Sequence, residues 1–176
     1  MTGQQKKRWK TAALALLTAA MLLLTACAPA PFRLHVVANS DSDEDQQVKL
    51  KVRDAVLEAT KDGILECKNA KEAEEYIDEN LEIIVATAND TLEENGFDYS
   101  AQAAVGTYHF PDREYQGVTY PEGDYRALRV ELGDGDGQNW WCVMFPPLCI
   151  SELTADGDGE TEYTSFFAEL FHELFQ

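Results

Sequence analysis

Positive charge and histidine are both scarce in this chain. Its 176 residues include fourteen lysines and arginines against thirty-two acidic residues, a formal net charge of −18. A surface of that sign repels nucleic acids and anionic lipid headgroups. We therefore expect no nucleic-acid partner, and favour a basic partner or simple solubility. The three histidines, His35, His109 and His172, are scattered, without the H-x-x-x-H spacing that places two imidazoles on one helical face for a metal.

Familiar catalytic motifs are missing as well. The sequence contains no G-x-S-x-G elbow, no P-loop and no G-x-G-x-x-G after a strand. The acidic runs at 41–45 and 156–160 alternate carboxylates as calcium loops do, but neither has the glycine and glutamate of an EF-hand at the required spacing. We therefore expect no cofactor, no metal and no enzymatic activity.

The first 26 residues are typical of an export signal. The basic stretch KKRWK precedes the apolar TAALALLTAAMLLLTA, and Leu24-Thr25-Ala26-Cys27 resembles the lipobox of bacterial lipoproteins. This pattern predicts cleavage before Cys27, a lipid on that cysteine and a short tether at 27–31. Plain secretion and an uncleaved anchor are the alternatives, because Thr11 to Ala28 is marginal in length for a bilayer. Each alternative places the remaining chain outside the cytoplasm.

Three further cysteines follow Cys27: Cys67, Cys142 and Cys149. An oxidising exterior permits one disulfide, and Cys142 with Cys149 is the closer pair. One thiol then remains. No histidine lies near Cys142 in sequence, which favours a structural or disulfide role over a catalytic nucleophile.

Hydrophobic periodicity predicts the elements of one domain at 32–150. Strands are expected at 32–38, 100–110, 125–132 and 139–145. One helix is expected from the cap Ser42 to Gly63, and a second from the cap Asn69 to Gly96. The glycine-rich GDGDG between the last two strands predicts a hairpin. The predicted fold is α+β, a mostly antiparallel sheet with two long helices packed on one face.

Residues 151–176 differ in composition from the domain that precedes them. Residues 151–162 are predicted to form an acidic linker, and residues 163–176 an amphipathic helix with a phenylalanine-rich face. That helix either packs on the domain or binds a partner or a membrane surface.

The segment NWWCVMF, followed by two prolines, is apolar on both faces of its predicted strand. Trp140 and Trp141 point to opposite faces because side chains alternate along a strand. Pro146 and Pro147 prevent the ladder from continuing. The segment is either a buried strand of an ordinary core or an exposed aromatic patch of the kind that marks interaction sites.

Several stretches together resemble the stage II sporulation protein R family of endospore-forming Firmicutes. They are HVVANSDSDEDQQVKLKVRDAVLE, the long helix that follows, and GTYHFPDREYQGVTYPEGDYRALRVELGDGDGQNWWCVMFPPLC. The resemblance runs from about Phe32 to Cys149, with ANSDS, LKVRDAVL and NWWCVMFPPLC in the family's order.

The resemblance implies a signalling function without catalysis. Members of the family are made in the forespore, exported toward the space between forespore and mother cell, and trigger a membrane-embedded aspartic protease that processes the precursor of the mother-cell sigma factor. Two other classes remain as alternatives, a lipid-tethered extracytoplasmic binding lipoprotein and a secreted hydrolase. The matching positions expected to serve partner binding or the scaffold are Asn39, Ser40, Asp41, Arg53, Asp54, Arg126, Arg129, Asn139, Trp140, Trp141, Cys142, Pro146, Pro147 and Cys149.

Physical roles can be predicted for some of these positions. Arg53 and Asp54 on the first helix could form ion pairs between layers with Arg126 and Arg129, of which only one can point inward. A bridge between Cys142 and Cys149, together with the two prolines, would clamp the chain beyond the tryptophan pair. We hypothesise that this clamp presents Trp140 or Trp141 to the receptor protease.

Overall fold

The structure is a computed structural model that describes residues 30–115 and 117–150. The unit described below begins at Pro31. Within the described residues, no helix has both the length and the apolar character needed to cross a membrane. The predictions for the export signal, for Cys27 and for the tail at 151–176 lie outside the described residues. In chain order the elements are β1 Phe32–Val37, α1 Asp43–Glu66, α2 Ala70–Glu79, α3 Leu81–Glu94, β2 Ala101–Phe110, β3 Arg113–Tyr115, β4 Val118–Tyr120, β5 Gly123–Leu132 and β6 Asn139–Phe145.

Four strands form one mixed sheet in the order β2-β5-β1-β6. β1 runs parallel to β5 and antiparallel to β6, and β2 runs antiparallel to β5. The short strands β3 and β4 form a separate antiparallel pair. Two of the three pairings in the main sheet are antiparallel, so the predicted α+β class with a mostly antiparallel sheet is confirmed.

The predicted hairpin between β5 and β6 is wrong, because β1 lies between these strands. The glycine-rich connection instead crosses the end of β1. Gly133 and Gly135 take positive φ values of 56° and 67°, which glycine adopts without strain. Beyond them, the Gly137 amide donates to the carbonyl of Ala38 at 2.9 Å. The turn residues were predicted correctly, and the last of them bonds to a segment almost a hundred residues earlier.

The first helix begins as predicted and ends later. The Ser42 hydroxyl accepts a hydrogen bond from the Asp45 amide at 3.2 Å, which satisfies one free amide of the first turn. The helix continues through Gly63 to Glu66. A Cβ atom at Gly63 would lie 2.1 Å from the Tyr76 ring. The absence of a side chain at Gly63 therefore leaves room for the Tyr76 ring of α2 and does not end the helix.

The predicted second helix is divided into α2 and α3 at Asn80. Asn69 caps α2 as expected, accepting from the amides of Lys71 and Glu72. At the other end, the Asn80 side chain donates to the Tyr76 carbonyl at 2.7 Å. Its backbone amide bonds to Ile77 three residues back, which tightens the last turn. Asparagine thus ends one helix and begins the next without disturbing the hydrophobic periodicity.

One face of the sheet packs against the helices, and we call it the helix-covered face. Its strand residues and the inner helix residues form a single buried cluster, in which Leu34, Val36, Val52, Val56 and Leu128 have no exposed surface. Complete burial of such a side chain contributes about 1.5–3 kcal/mol to folding. This cluster holds the sheet in place and so positions the residues of the opposite face.

Candidate functional site

The opposite face of the sheet carries cations and aromatic rings, and we call it the aromatic face. Alternation along β1 places Arg33 and His35 there. The neighbours of His35 across the sheet are Arg129 on β5 and Trp141 on β6. Both β1 side chains are buried, with 0 % and 5 % of their surface exposed. The alternation of polar and apolar residues along β1 predicted two different faces of the strand. The face that carries Arg33 and His35 is nevertheless as buried as the apolar face.

Arg33 lies in a cage of aromatic rings. Its guanidinium carbon is 4.1 Å from the ring centre of Phe110 and 4.8 Å from that of Tyr125, distances typical of cation–π attraction. Tyr115 and Tyr120, on the β3–β4 hairpin, cover it from further away. Burial lowers the pKa of Arg33, and the hydrogen bond to the Tyr115 hydroxyl opposes that shift. Among the described residues, no carboxylate lies within ion-pair distance of this cation.

His35 stacks on Trp141, with ring centroids 3.8 Å apart and planes 17° apart. Its Nε2 is 2.7 Å from the Oδ1 of Asn139. Because an amide oxygen only accepts, Nε2 carries the proton and Nδ1 has a free lone pair, for which the described residues supply no partner. Burial lowers the pKa of His35 to about 4, against the raising effect of the Asn139 hydrogen bond. The imidazole is therefore neutral at physiological pH.

The exposed rim of the aromatic face contains Arg129, Tyr108 and Trp141. The Arg129 guanidinium lies over the Tyr108 ring at 5.6 Å and pairs with Glu131 at 2.6 Å. All three rim side chains are partly exposed. Planar side chains held in stacks lose little conformational entropy on binding, which suits a recognition surface.

A second polar cluster lies where β1 ends and α1 begins. The buried carboxylate of Asp45 accepts hydrogen bonds from the hydroxyls of Ser40 and Tyr99, both at 2.5 Å, and from the Asn39 amide at 2.9 Å. Burial alone would raise the pKa of Asp45. The hydrogen bonds from Ser40, Tyr99 and Asn39 favour the carboxylate and bring its pKa below the ordinary value.

The same cluster connects the ANS segment to the glycine-rich loop. The Asn39 side-chain oxygen accepts from the Asp134 amide at 3.0 Å. Lys49, only 4 % exposed, donates to the carbonyl of Gln138 at 2.9 Å. A Cβ atom at Gly137 would lie 2.2 Å from the Ser40 carbonyl oxygen. The two stretches therefore form one rigid edge, with Asp41 exposed beside it.

Comparison with known proteins identifies the family. The model of stage II sporulation protein R matches residues 29–155. The chain belongs to the stage II sporulation protein R family. It is also 41 % identical to the stage II sporulation protein R of Bacillus subtilis (strain 168) over 122 residues. That alignment covers 69 % of this chain and 54 % of the relative, so the chain spans about half the length of the relative it matches. No solved structure matches.

In this stage II sporulation protein R family member, the two tryptophans predicted as site residues lie on opposite sides of β6. Trp140 lies on the helix-covered side, where the Arg53 guanidinium is 4.6 Å from its ring centre. Trp141 lies on the aromatic face against His35. Both indoles are partly buried. β6 is therefore neither the fully buried strand nor the exposed patch of the two predictions, and a role of Trp141 in an interaction site stays a prediction.

The predicted ion pairs between layers are rearranged. Arg53 pairs with its neighbour Asp54 at 2.6 Å, and not with a strand residue. Arg126 does join the layers, but its partner is Glu74 on α2, with Nε 2.9 Å from the carboxylate. Arg129 points to the other face, as its spacing of three residues from Arg126 requires. Sequence distance predicted the opposite directions of the two arginines but not their partners.

A disulfide bond joins Cys142, in β6, to Cys149, in the segment that follows the strand. Cys67 is a free, partly buried thiol, and burial raises its pKa. Pro147 is buried between the two bonded cysteines, and Pro146 is partly buried. The end of β6 is thus tied back on itself immediately beyond the two tryptophans.

Arg33, His35 and Asp45 were not among the predicted site residues. Arg33 and His35 alternate with apolar residues, a pattern that does not distinguish solvent from a cage of aromatic rings. Asp45 has the position of an ordinary helix-terminus acid, and it is distinguished only by Tyr99, 54 residues later. The one signal available was the number of tyrosines and phenylalanines between 99 and 125, which an exposed sheet face would not need.

Proposed function

We propose that this protein is an exported sporulation signal that activates a membrane-embedded aspartic protease, which then processes the precursor of the mother-cell sigma factor. The observation that carries the proposal is membership of the stage II sporulation protein R family, matched over residues 29–155. In this role the protein acts by binding and carries out no catalysis itself.

The geometry of the aromatic face supports a binding role. Trp141, Tyr108 and Arg129 are large planar side chains, partly exposed and already stacked in the isolated protein. Residues of these types dominate the energetics of protein interfaces. Because they are held in place by His35 and the sheet, docking a receptor on them costs little ordering entropy.

The proposed site of action is outside the cytoplasm, in the space between forespore and mother cell. The export signal at 1–26 supports this location, and Cys27 or an uncleaved N-terminus would hold the protein at the membrane. The bond between Cys142 and Cys149 also suits an oxidising exterior.

Reconstitution in a non-sporulating bacterial host tests the proposal. This protein would be co-expressed with the sporulation protease and the sigma precursor of the same organism, with and without residues 1–26. We expect precursor cleavage only when this protein is present and carries its signal. Absence of cleavage with folded, exported protein would contradict the proposal. Cleavage without residues 1–26 would contradict the extracytoplasmic location.

A further inference from the structure

The outer edge of β2 differs from the other edge of the sheet. β2 is the first strand in the order β2-β5-β1-β6, and it pairs only with β5 among the described residues. It extends over ten residues, AQAAVGTYHF, without a proline, lysine, arginine or acidic residue. Natural edge strands are usually protected by such residues, by bulges or by shortness. β2 has none of these protections.

The ladder fixes which backbone groups of β2 face outward. The Ser100 carbonyl accepts from the Gly133 amide at 3.0 Å, so this pair forms inter-strand hydrogen bonds. In an antiparallel ladder bonded and non-bonded pairs alternate, so the odd-numbered residues of β2 direct their N–H and C=O groups away from β5. Ala101 fits this pattern, because its outward amide donates to the Asn89 side chain of α3 at 2.8 Å.

Four residues beyond Ala101 have the same orientation: Ala103, Val105, Thr107 and His109. Their outward backbone groups have no backbone partner within 30–115 and 117–150. An extended strand is the ligand that satisfies such a row of alternating donors and acceptors.

The opposite edge of the sheet is β6, and it is less open to an added strand. The Ala38 amide donates to the Gln138 carbonyl, and the same alternation then turns the Trp141 carbonyl outward. That carbonyl accepts a hydrogen bond from the Tyr115 hydroxyl at 2.8 Å. Pro146 and Pro147 follow directly after the strand and cannot continue a ladder. The contrast between the two edges of one sheet singles out β2.

We propose that β2 binds an extended, positively charged segment of a partner protein as an added strand of the sheet. Acidic groups lie near both ends of β2: Asp98 is exposed before it, and Asp124 and Glu122 flank His109. A second copy of this chain would bring another net charge of −18 and be repelled, whereas a basic strand is attracted. The proposal does not depend on the partner being the protease.

The test uses the mature chain and a short peptide of alternating lysine and valine, with amide hydrogen exchange measured by NMR. In the protein alone, the amides of Val105 and Thr107 should exchange quickly and those of Gln102 and Ala104 slowly. The peptide should slow the two outward amides in a saturable manner. A peptide with glutamate in place of lysine, and one N-methylated at alternate residues, should both fail to do so.

Thr107 offers a matched pair of variants. Thr107→Pro removes an outward N–H and no backbone bond to β5, and it loses the hydroxyl that accepts from Arg126 at 3.5 Å. The fold should be retained while peptide binding falls by about tenfold or more. Thr107→Val loses the same hydroxyl but keeps the N–H, and binding should stay within about twofold. Circular dichroism and the exchange of the inward amides check that both variants fold.

Three results would overturn the proposal. One is equal peptide binding by the two Thr107 variants, and another is equal binding of the lysine and glutamate peptides. The third is slow exchange of the outward amides in the protein alone. Slow exchange would mean that another strand already covers β2. Sedimentation would assign that strand to a second copy if the protein is a dimer, or to another segment of this chain if it is a monomer.

Discussion

The two faces of the sheet bury neighbouring residues of one strand by different means. Leu34 faces the helices and lies in an aliphatic cluster, whereas Arg33 and His35 lie among aromatic rings. The β3–β4 hairpin adds two of the rings around Arg33. Helices supply enough apolar surface to cover a strand completely. Without a helix layer, long stems and planar rings give the same cover and keep polar ends near the surface. The first face therefore serves stability, and the second can serve recognition.

The sharpest test of this difference compares Leu34→Ala with Arg33→Met. Leu34 is fully buried, and its truncation should cost about 3 kcal/mol of unfolding free energy. Arg33→Met should cost about 1 kcal/mol, because methionine retains the stem and no buried donor is left without a partner. Urea unfolding with the disulfide intact measures both. Equal losses would show that the Arg33 cation itself holds the aromatic face together.

A nearly equal loss of unfolding free energy is expected when the pH is lowered, because His35 is buried in its neutral form. The folded pKa is about 4 and the unfolded value 6.5, so between these values the unfolded chain binds a proton that the folded chain does not. Stability is complete above pH 6.5 and falls as the pH is lowered to 4, by about 3 kcal/mol in total. Unfolding free energies at pH 7, 5.5 and 4 measure the effect.

His35→Phe is the control for this pH dependence. The variant retains a ring against Trp141 and lacks the titrating group of this position, so the loss of stability below pH 6.5 should disappear. His109 is exposed, and its raised pKa acts in the opposite direction, adding stability as the pH falls. Asp45 does not interfere, because its lowered pKa means that its contribution is lost only below its ordinary value of 3.8. An unchanged pH dependence in His35→Phe would assign the effect to another group.

Replacing either tryptophan should distinguish the two faces by function rather than by stability. Trp140→Ala and Trp141→Ala should each cost about 2 kcal/mol, since both indoles are partly buried. In the reconstituted system only Trp141→Ala should lose precursor cleavage, because Trp141 lies on the aromatic face. If both variants fold and still activate fully, the proposed role of this tryptophan pair is wrong.

The smallest effect is expected at the rim of the helix-covered side. Arg126 and Glu74 form a largely exposed ion pair between β5 and α2. Arg126→Ala should lower the unfolding free energy by less than about 1 kcal/mol, and added salt should reduce the difference. Thermal unfolding at low and high ionic strength measures it. A larger, salt-independent loss would show that Arg126 contributes through packing of its stem.

Local signals predicted the four strands of the main sheet and the starts of α1 and α2, because the causes lie within a few residues. They did not predict the short strands β3 and β4 or the break at Asn80. Ser42 and Asn69 cap helices through hydrogen bonds to amides at most three positions away. The alternation of FRLHVV correctly separated Arg33 and His35 from Leu34 and Val36. Predictions became wrong where a contact came from a distant segment, as at Gly63, which Tyr76 packs against.

The candidate site was predicted only in part for the same reason. Asn39 and Asn139 were selected from the family resemblance, and the structure shows each in a hydrogen-bonded cluster. His35, which bonds to Asn139, was not predicted as a site residue, because the three histidines are scattered along the sequence. Its importance depends on Trp141, more than a hundred residues later, and no spacing rule connects the two.

The sequence by itself determined the four strands of the main sheet, the starts of α1 and α2, the acidic balance and the family, and it predicts an export signal. Only the tertiary structure decided that β1 separates β5 from β6, that Asp45 bonds to the distant Tyr99, and that Arg33 is buried among rings. Caps, turns and alternation depend on neighbours along the chain. Strand order and the partner of a buried charge depend on which distant surfaces meet, and that is settled when the whole sheet packs.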